Sequence, residues 1–114
     1  MNWIEPSLFS ASLNKVTTKD LRTKIAPLCK DQGVKRLDLF GSKARSPIGE
    51  GRDYDFLATF EDLPPEEYSQ RFFRLLHGLE DSLNAPVDLL TPQSIRKESF
   101  RKKIEDEKIC VYES

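Results

Sequence analysis

Apolar positions along the chain recur with two periods, and the changes from one period to the other mark out its elements. Leu21, Ile25, Leu28 and Cys29 fall at helical spacing behind Thr17-Thr18-Lys19-Asp20, where hydroxyls and an early acid suit a helix start. Gly33 is the expected stop, and Pro27 inside the pattern is a candidate kink. Val34 to Phe40 alternates loosely, with Leu37 and Leu39 on one side and Asp38 on the other, and predicts a strand that runs into Gly41-Ser42. Asp53 to Phe60 alternates more strictly. Tyr54, Phe56, Ala58 and Phe60 make its core face, while Asp53 and Asp55 project from the other.

Between these strands, Ser42 opens a short helix, and residues 46–52, with Pro47, Gly49 and Gly51, read as a turn. Beyond Phe60, Pro64-Pro65-Glu66-Glu67 supplies the proline and acids of a helix first turn. Phe72, Leu76, Leu79 and Leu83 then form a stripe expected to face the sheet. Asn84-Ala85-Pro86 breaks that helix, and Val87 to Leu90 is a third short strand. Gln93 to Lys108 reads as a charged helix anchored by Ile95, Phe100 and Ile104, and Ile109 to Tyr112 as a closing strand or extended tail. The first sixteen residues are mixed; Leu8, Phe9 and Leu13 could form a short docking helix. The expected fold is α/β, a small mixed sheet of about four strands with helices packed mainly on one side.

At 114 residues the chain has room for one domain and one site, so we treat 1–114 as a single unit. A net charge of −1 gives no general attraction to nucleic acid or to a membrane. No apolar run approaches spanning length, and the N-terminal residues lack the blocks of a signal peptide, so a cytoplasmic protein is expected. Cys29 and Cys110 lie far apart, outside any Cys-x-x-Cys pair, and are expected to be reduced, small hydrophobes. His77 has no partner at ligand spacing and carries little weight.

The candidate chemistry lies around residues 41–55. An apolar strand ending in Gly41-Ser42 and opening a helix offers unpaired N–H groups and a hydroxyl to a phosphate. Asp53 and Asp55, side by side on one strand face, repel each other unless a cation holds them. Together they suggest a metal-dependent reaction at a nucleoside triphosphate. Neither a dinucleotide fingerprint nor a Walker pattern is present. Taken alone, an Asp-x-Asp is more often a solvated strand face, and Asp38, with no partner in the pattern, reads as a surface residue. Tyr54, Phe56, Phe72 and Phe73 read as core, with room for one exposed member to pack on a nucleobase. Arg96, Lys97, Arg101, Lys102 and Lys103 read as a solvated helix face countered by Glu98, Glu105, Asp106 and Glu107; the functional alternative is a patch for an acidic partner protein. A nucleic-acid groove is disfavoured by the overall charge and by Phe100 being the one interleaved aromatic.

Gly41-Ser42, ten intervening residues and Asp53-Tyr54-Asp55, placed between two strands, resemble the signature of the DNA polymerase β-like nucleotidyltransferases. The form Phe40-Gly41-Ser42-Lys43-Ala44-Arg45 and the later Val87-Asp88-Leu89-Leu90-Thr91-Pro92 are similar to its minimal nucleotidyltransferase (MNT) branch, over about residues 18–112. The resemblance implies that Gly41 and Ser42, with Lys43 and Arg45, bind the nucleotide phosphates. It also implies that Asp53, Asp55 and Asp88 are the catalytic, metal-holding carboxylates, with Asp88 a general base. Magnesium suits such a donor set, and two ions would lie about 3.5–4 Å apart. Two positions depart from the family pattern: Ser46 stands where glycine is usual, and Arg52 where serine is usual. Neither removes a metal ligand.

The same resemblance implies a function. Stand-alone MNT proteins are commonly antitoxins paired with a HEPN-domain toxin, and some silence it by adenylylating a tyrosine. The expected activity is therefore magnesium-dependent transfer of AMP from ATP to a hydroxyl on a HEPN-family partner. Two alternatives from other classes stand beside it: a catalytically silent antitoxin that acts by contact, and a small-molecule nucleotidyltransferase of the aminoglycoside-modifying kind, which would normally need an acceptor domain or dimer cleft.

Overall fold

A computed structural model describes residues 18–45 and 53–114. The expected N-terminal docking helix and the turn over residues 46–52, including Ser46 and Arg52, lie outside the described residues. Helix α1 (Thr18–Asp31) leads into strand β1 (Val34–Phe40), the single-turn helix α2 (Ser42–Arg45) and strand β2 (Tyr54–Phe60). Helix α3 (Pro65–Leu83), strand β3 (Val87–Leu90), a 3-10 turn (Pro92–Ser94), helix α4 (Glu98–Glu107) and strand β4 (Ile109–Glu113) complete the chain. The sheet order is β3-β2-β1-β4. β1 pairs antiparallel with both β2 and β4, whereas β2 and β3 run parallel, so the sheet is mixed. The expected closing strand is real: β4 hydrogen-bonds to β1 as a sheet edge.

Local chemistry fixes the element ends. Gly33 takes φ +72° and turns the chain from α1 into β1, the left-handed conformation a glycine adopts without a Cβ penalty. Asn84 does the same for α3 at φ 50°, its N–H donating to the Glu80 carbonyl. Proline at the start of α3 sacrifices no hydrogen bond, because first-turn N–H groups have no helical acceptor. The helical assignment of α1 runs on through Pro27.

The two longest helices share one face of the sheet. Leu21, Ile25 and Cys29 of α1 and Leu75 and Leu79 of α3 close over Leu37, Leu39, Phe56, Ala58 and Val111. Phe72, Leu76 and Leu83 of the expected stripe pack at the margin of this cluster, and Leu75 joins them as a fully buried residue. Each such buried leucine removes enough apolar surface from water to contribute about 1.5–3 kcal/mol. Gly78 lets α3 sit directly against Leu28 of α1, where a Cβ would collide. Burial pushes the Cys29 thiol up to about 12, which keeps it an unreactive core residue, and both cysteines are free thiols.

A smaller cluster occupies the opposite face, where Phe40 and Leu57 meet Ile95 and Ile104 with Leu90 alongside. Three readings change here. The charged helix begins at Glu98 rather than Gln93, because Pro92 sets a 3-10 turn and Ile95 leaves it extended. Ile95 and Ile104 are buried anchors, but Phe100 is 39% exposed and meets Phe40 edge-on. Asp38 is no surface residue: it is 1% exposed, covered by β4 and the end of α4, and takes the Arg36 Nε–H on both oxygens at 3.0 and 3.1 Å. Lys108 Nζ stands 4.0 Å from the same carboxylate. None of the helices among the described residues is long and apolar enough to cross a membrane.

Candidate active site

β1 ends against β2 such that Phe40 lies opposite Asp55 and the chain must turn sharply at once. Gly41 makes that turn at φ +75°, and a Cβ there would strike the Asp55 carboxylate. Glycine is required twice at this point, by backbone conformation and by the side chain next to it. The Gly41 carbonyl accepts the N–H groups of Ala44 and Arg45, each at 3.1 Å, which winds α2 and leaves the first-turn donors at Ser42 and Lys43 without a helical acceptor. The Lys43 ammonium lies 5.2 Å from the centre of the Tyr54 ring, a cation–π contact.

β2 carries the next group. Its parallel pairing with β3 sets Asp55 directly opposite Asp88, two carboxylates on the same face of neighbouring strands. Asp53 stands just before β2 and is exposed. The Asp55 carboxyl is held above its ordinary value of 3.8, first by burial, then by the negative charges of Asp88, Asp53 and Glu107; Arg45 opposes the shift. Such a pair is the arrangement a cation would relieve.

An open cavity of about 380 Å³ joins these groups. Of the residues expected from sequence, Gly41, Ser42, Arg45, Asp55 and Asp88 line it; Lys43 and Asp53 do not. The rest of the wall comes from elsewhere. Phe100, Lys103 and Glu107 of α4 face the cavity at i, i+3 and i+7, one stripe of a helix that reads from sequence as a solvated charged face. Glu107 accepts the Gly41 N–H through Oε1 and the Arg45 Nη1–H through Oε2, both at 3.0 Å. The spacing that could have found this stripe is present in the sequence, but its target depends on where β4 anchors the end of α4.

The donor set fits magnesium, which is bound by carboxylate oxygens together with substrate phosphates and water. Among the described residues no three carboxylate, histidine or cysteine side chains form a ready cage. Magnesium at triphosphate sites needs none, since one or two carboxylates plus the phosphates complete its shell.

Residues 21–111 match the nucleotidyltransferase domain family. The chain belongs to that family. A relative from Methanocaldococcus jannaschii named "Putative protein adenylyltransferase MJ1379" is 34% identical over 94 residues, covering 82% of this chain and 93% of the relative. Among solved structures, one described as a "putative minimal nucleotidyltransferase" shares the fold with a TM-score of 0.58 and 26% identity, over 80% of this chain and 89% of that one. A chain in the structure of the tri-AMPylated Shewanella oneidensis HEPN toxin in complex with MNT antitoxin matches with a TM-score of 0.59 and 19% identity, covering 86% of this chain and 74% of that one. The mixed four-stranded sheet is thus the minimal nucleotidyltransferase fold, as its sequence resemblance implies.

Proposed function

We propose that this nucleotidyltransferase moves AMP from ATP to a hydroxyl on a partner protein, a tyrosine of a HEPN-family toxin, and so acts as its antitoxin. The observation that carries the reading is the register of Asp55 against Asp88 with the Gly41 turn in contact with Asp55: phosphate donors and paired carboxylates meet in one cavity. The relatives support the choice of reaction and partner, because one is named for protein adenylylation and a structural neighbour includes an AMPylated HEPN toxin. The cavity is small and open, which suits an acceptor side chain delivered by a folded partner.

In this reading Asp53, Asp55 and Asp88 would hold magnesium, which when bound would supply charge neutralisation at the phosphates and lower the pKa of an acceptor hydroxyl. The first-turn N–H groups and hydroxyl at Ser42 bind the β- and γ-phosphates. Arg45 adds a charged, directional contact that strengthens as the pyrophosphate leaves. Asp88 takes the acceptor proton while the acceptor oxygen bonds to the α-phosphorus and the bond to pyrophosphate breaks. No covalent protein intermediate is needed.

Labelled ATP, magnesium and the product of the neighbouring open reading frame provide the test. Label on that partner with the wild type but not with Asp53→Asn/Asp55→Asn is the expected result. A wild type that binds the partner and transfers nothing from any of the four nucleotides would leave a contact-only antitoxin in its place.

A further inference from the structure

Glu107 is the last residue of α4, and its position is unfavourable on two counts. A carboxylate at a helix C-terminus faces the partial negative charge of unpaired carbonyls. It also adds to the negative field at Asp55. Two donors hold it there: both carboxylate oxygens are engaged at 3.0 Å, and the side chain is only 17% exposed.

The two donors belong to the phosphate-facing turn. Oε1 takes the Gly41 N–H, and the carbonyl of the same residue takes the N–H groups of Ala44 and Arg45, so the turn is bonded on both sides. Oε2 takes one nitrogen of an Arg45 side chain that is otherwise 55% exposed. A free arginine of that exposure samples many rotamers. With Nη1 anchored, the guanidinium keeps its remaining donors for an anion in the cavity.

We propose that Glu107 is a positioning residue for nucleotidyl transfer, acting through Arg45 and the Gly41 turn to set the phosphate-binding groups before the nucleotide arrives. The inference rests on the nucleotidyl-transfer reading above. It goes against the other use of the same contacts, in which the carboxylate is a stand-in anion that the triphosphate must displace. The two uses predict opposite signs.

The decisive measurement is the affinity of the full chain for a fluorescent ATP analogue with magnesium, read without any acceptor. It is made for the wild type, Glu107→Ala, Arg45→Ala and the double variant, with thermal unfolding followed for each. Glu107→Ala is expected to weaken nucleotide binding about tenfold, the scale of one lost charge-assisted contact. The double variant is expected to lose less than the product of the two single losses, because the share of the effect that runs through Arg45 is already gone, a non-additivity that a merely structural role would not produce. If Glu107→Ala unfolds, Glu107→Gln replaces it, since the amide oxygen still serves Gly41 while the charge opposite Arg45 is gone. Tighter binding, unchanged binding, or losses that multiply in the double variant would each overturn the inference alone. A wild type that binds no nucleotide would overturn it together with the proposed function. Binding that behaves as expected, in a protein that labels no acceptor, would retain Glu107 and remove only the transfer reading.

Discussion

Asp38 and Asp55 stand on the same face of the same sheet, on adjacent strands, separated by one step of the register that pairs Phe40 with Asp55 and Asp38 with Leu57. Their surroundings are opposite. Asp38 is sealed under β4 and the end of α4 with Arg36 on both oxygens and Lys108 beside it. Asp55 faces an open cavity, where the charges of Asp88, Asp53 and Glu107 repel it and, among the described residues, Arg45 opposes them. A buried acid with its cation built in contributes to the fold. One surrounded by acids leaves its neutralisation to something that binds.

The contrast can be broken by mutation, and the largest effect belongs to the open end. Asp53→Asn/Asp55→Asn is expected to lower transfer by about 10³-fold or more, since on the proposed mechanism it removes groups that would hold the neutralising cation. The folded state should survive, which circular dichroism would check. Gly41→Ala comes next. The left-handed backbone disfavours any Cβ by roughly 1–2 kcal/mol, and the new methyl must also displace the Asp55 carboxylate, so both stability and transfer should fall, transfer by about 10²-fold. Denaturant unfolding alongside rates separates the two losses.

At the closed end the sign of the experiment reverses. Asp38→Asn leaves Arg36 and Lys108 facing each other without their shared anion, and should cost about 2 kcal/mol of stability, the scale of a hydrogen bond to a charged group. Nucleotide and metal binding by the folded fraction should be unchanged. The smallest effect is also the most diagnostic. Because the Asp55 pKa is raised in the fold, its contribution to stability is present below the ordinary value of 3.8 and lost as pH rises through the raised one. At neutral pH the metal-free Asp55→Asn variant should therefore be more stable than the wild type, by about 0.2–1 kcal/mol after solvent screening. The difference should shrink as pH falls through the raised value and be gone below 3.8.

Much of the open end was legible in sequence because its signals are local. Strand alternation put Asp55 opposite the core face occupied by Tyr54, Phe56, Ala58 and Phe60, and Gly41-Ser42 marked the turn after β1. The polymerase β-like resemblance then joined Asp88 to them, and the parallel register of β2 and β3 aligns it with Asp55. The closed end was not legible, for two physical reasons. Alternation put Asp38 on the face opposite Leu37 and Leu39, as the structure does, but nothing local shows that this second face is covered, because Phe40 and Leu57 there meet Ile95 and Ile104 from far along the chain. The burial of Asp38 also depends on β4, which pairs with β1 across most of the chain, Arg36 and Glu113 being 77 residues apart in sequence. The same long-range pairing brings the end of α4 to the Gly41 turn. That is why Lys103 and Glu107 read as a solvated face in the sequence, and Phe100 as an apolar anchor, yet all three line the site in the fold.

Manganese, a spectroscopic substitute for magnesium, offers the most direct test of the division between the two carboxylates. Its binding, followed by electron paramagnetic resonance in the presence of a non-hydrolysable ATP analogue, would be compared among the wild type, Asp55→Asn and Asp38→Asn at a temperature where all three are folded. The account predicts that the ion binds the wild type and Asp38→Asn alike and is lost from Asp55→Asn. Undiminished binding by Asp55→Asn, or its loss from a folded Asp38→Asn, would contradict it.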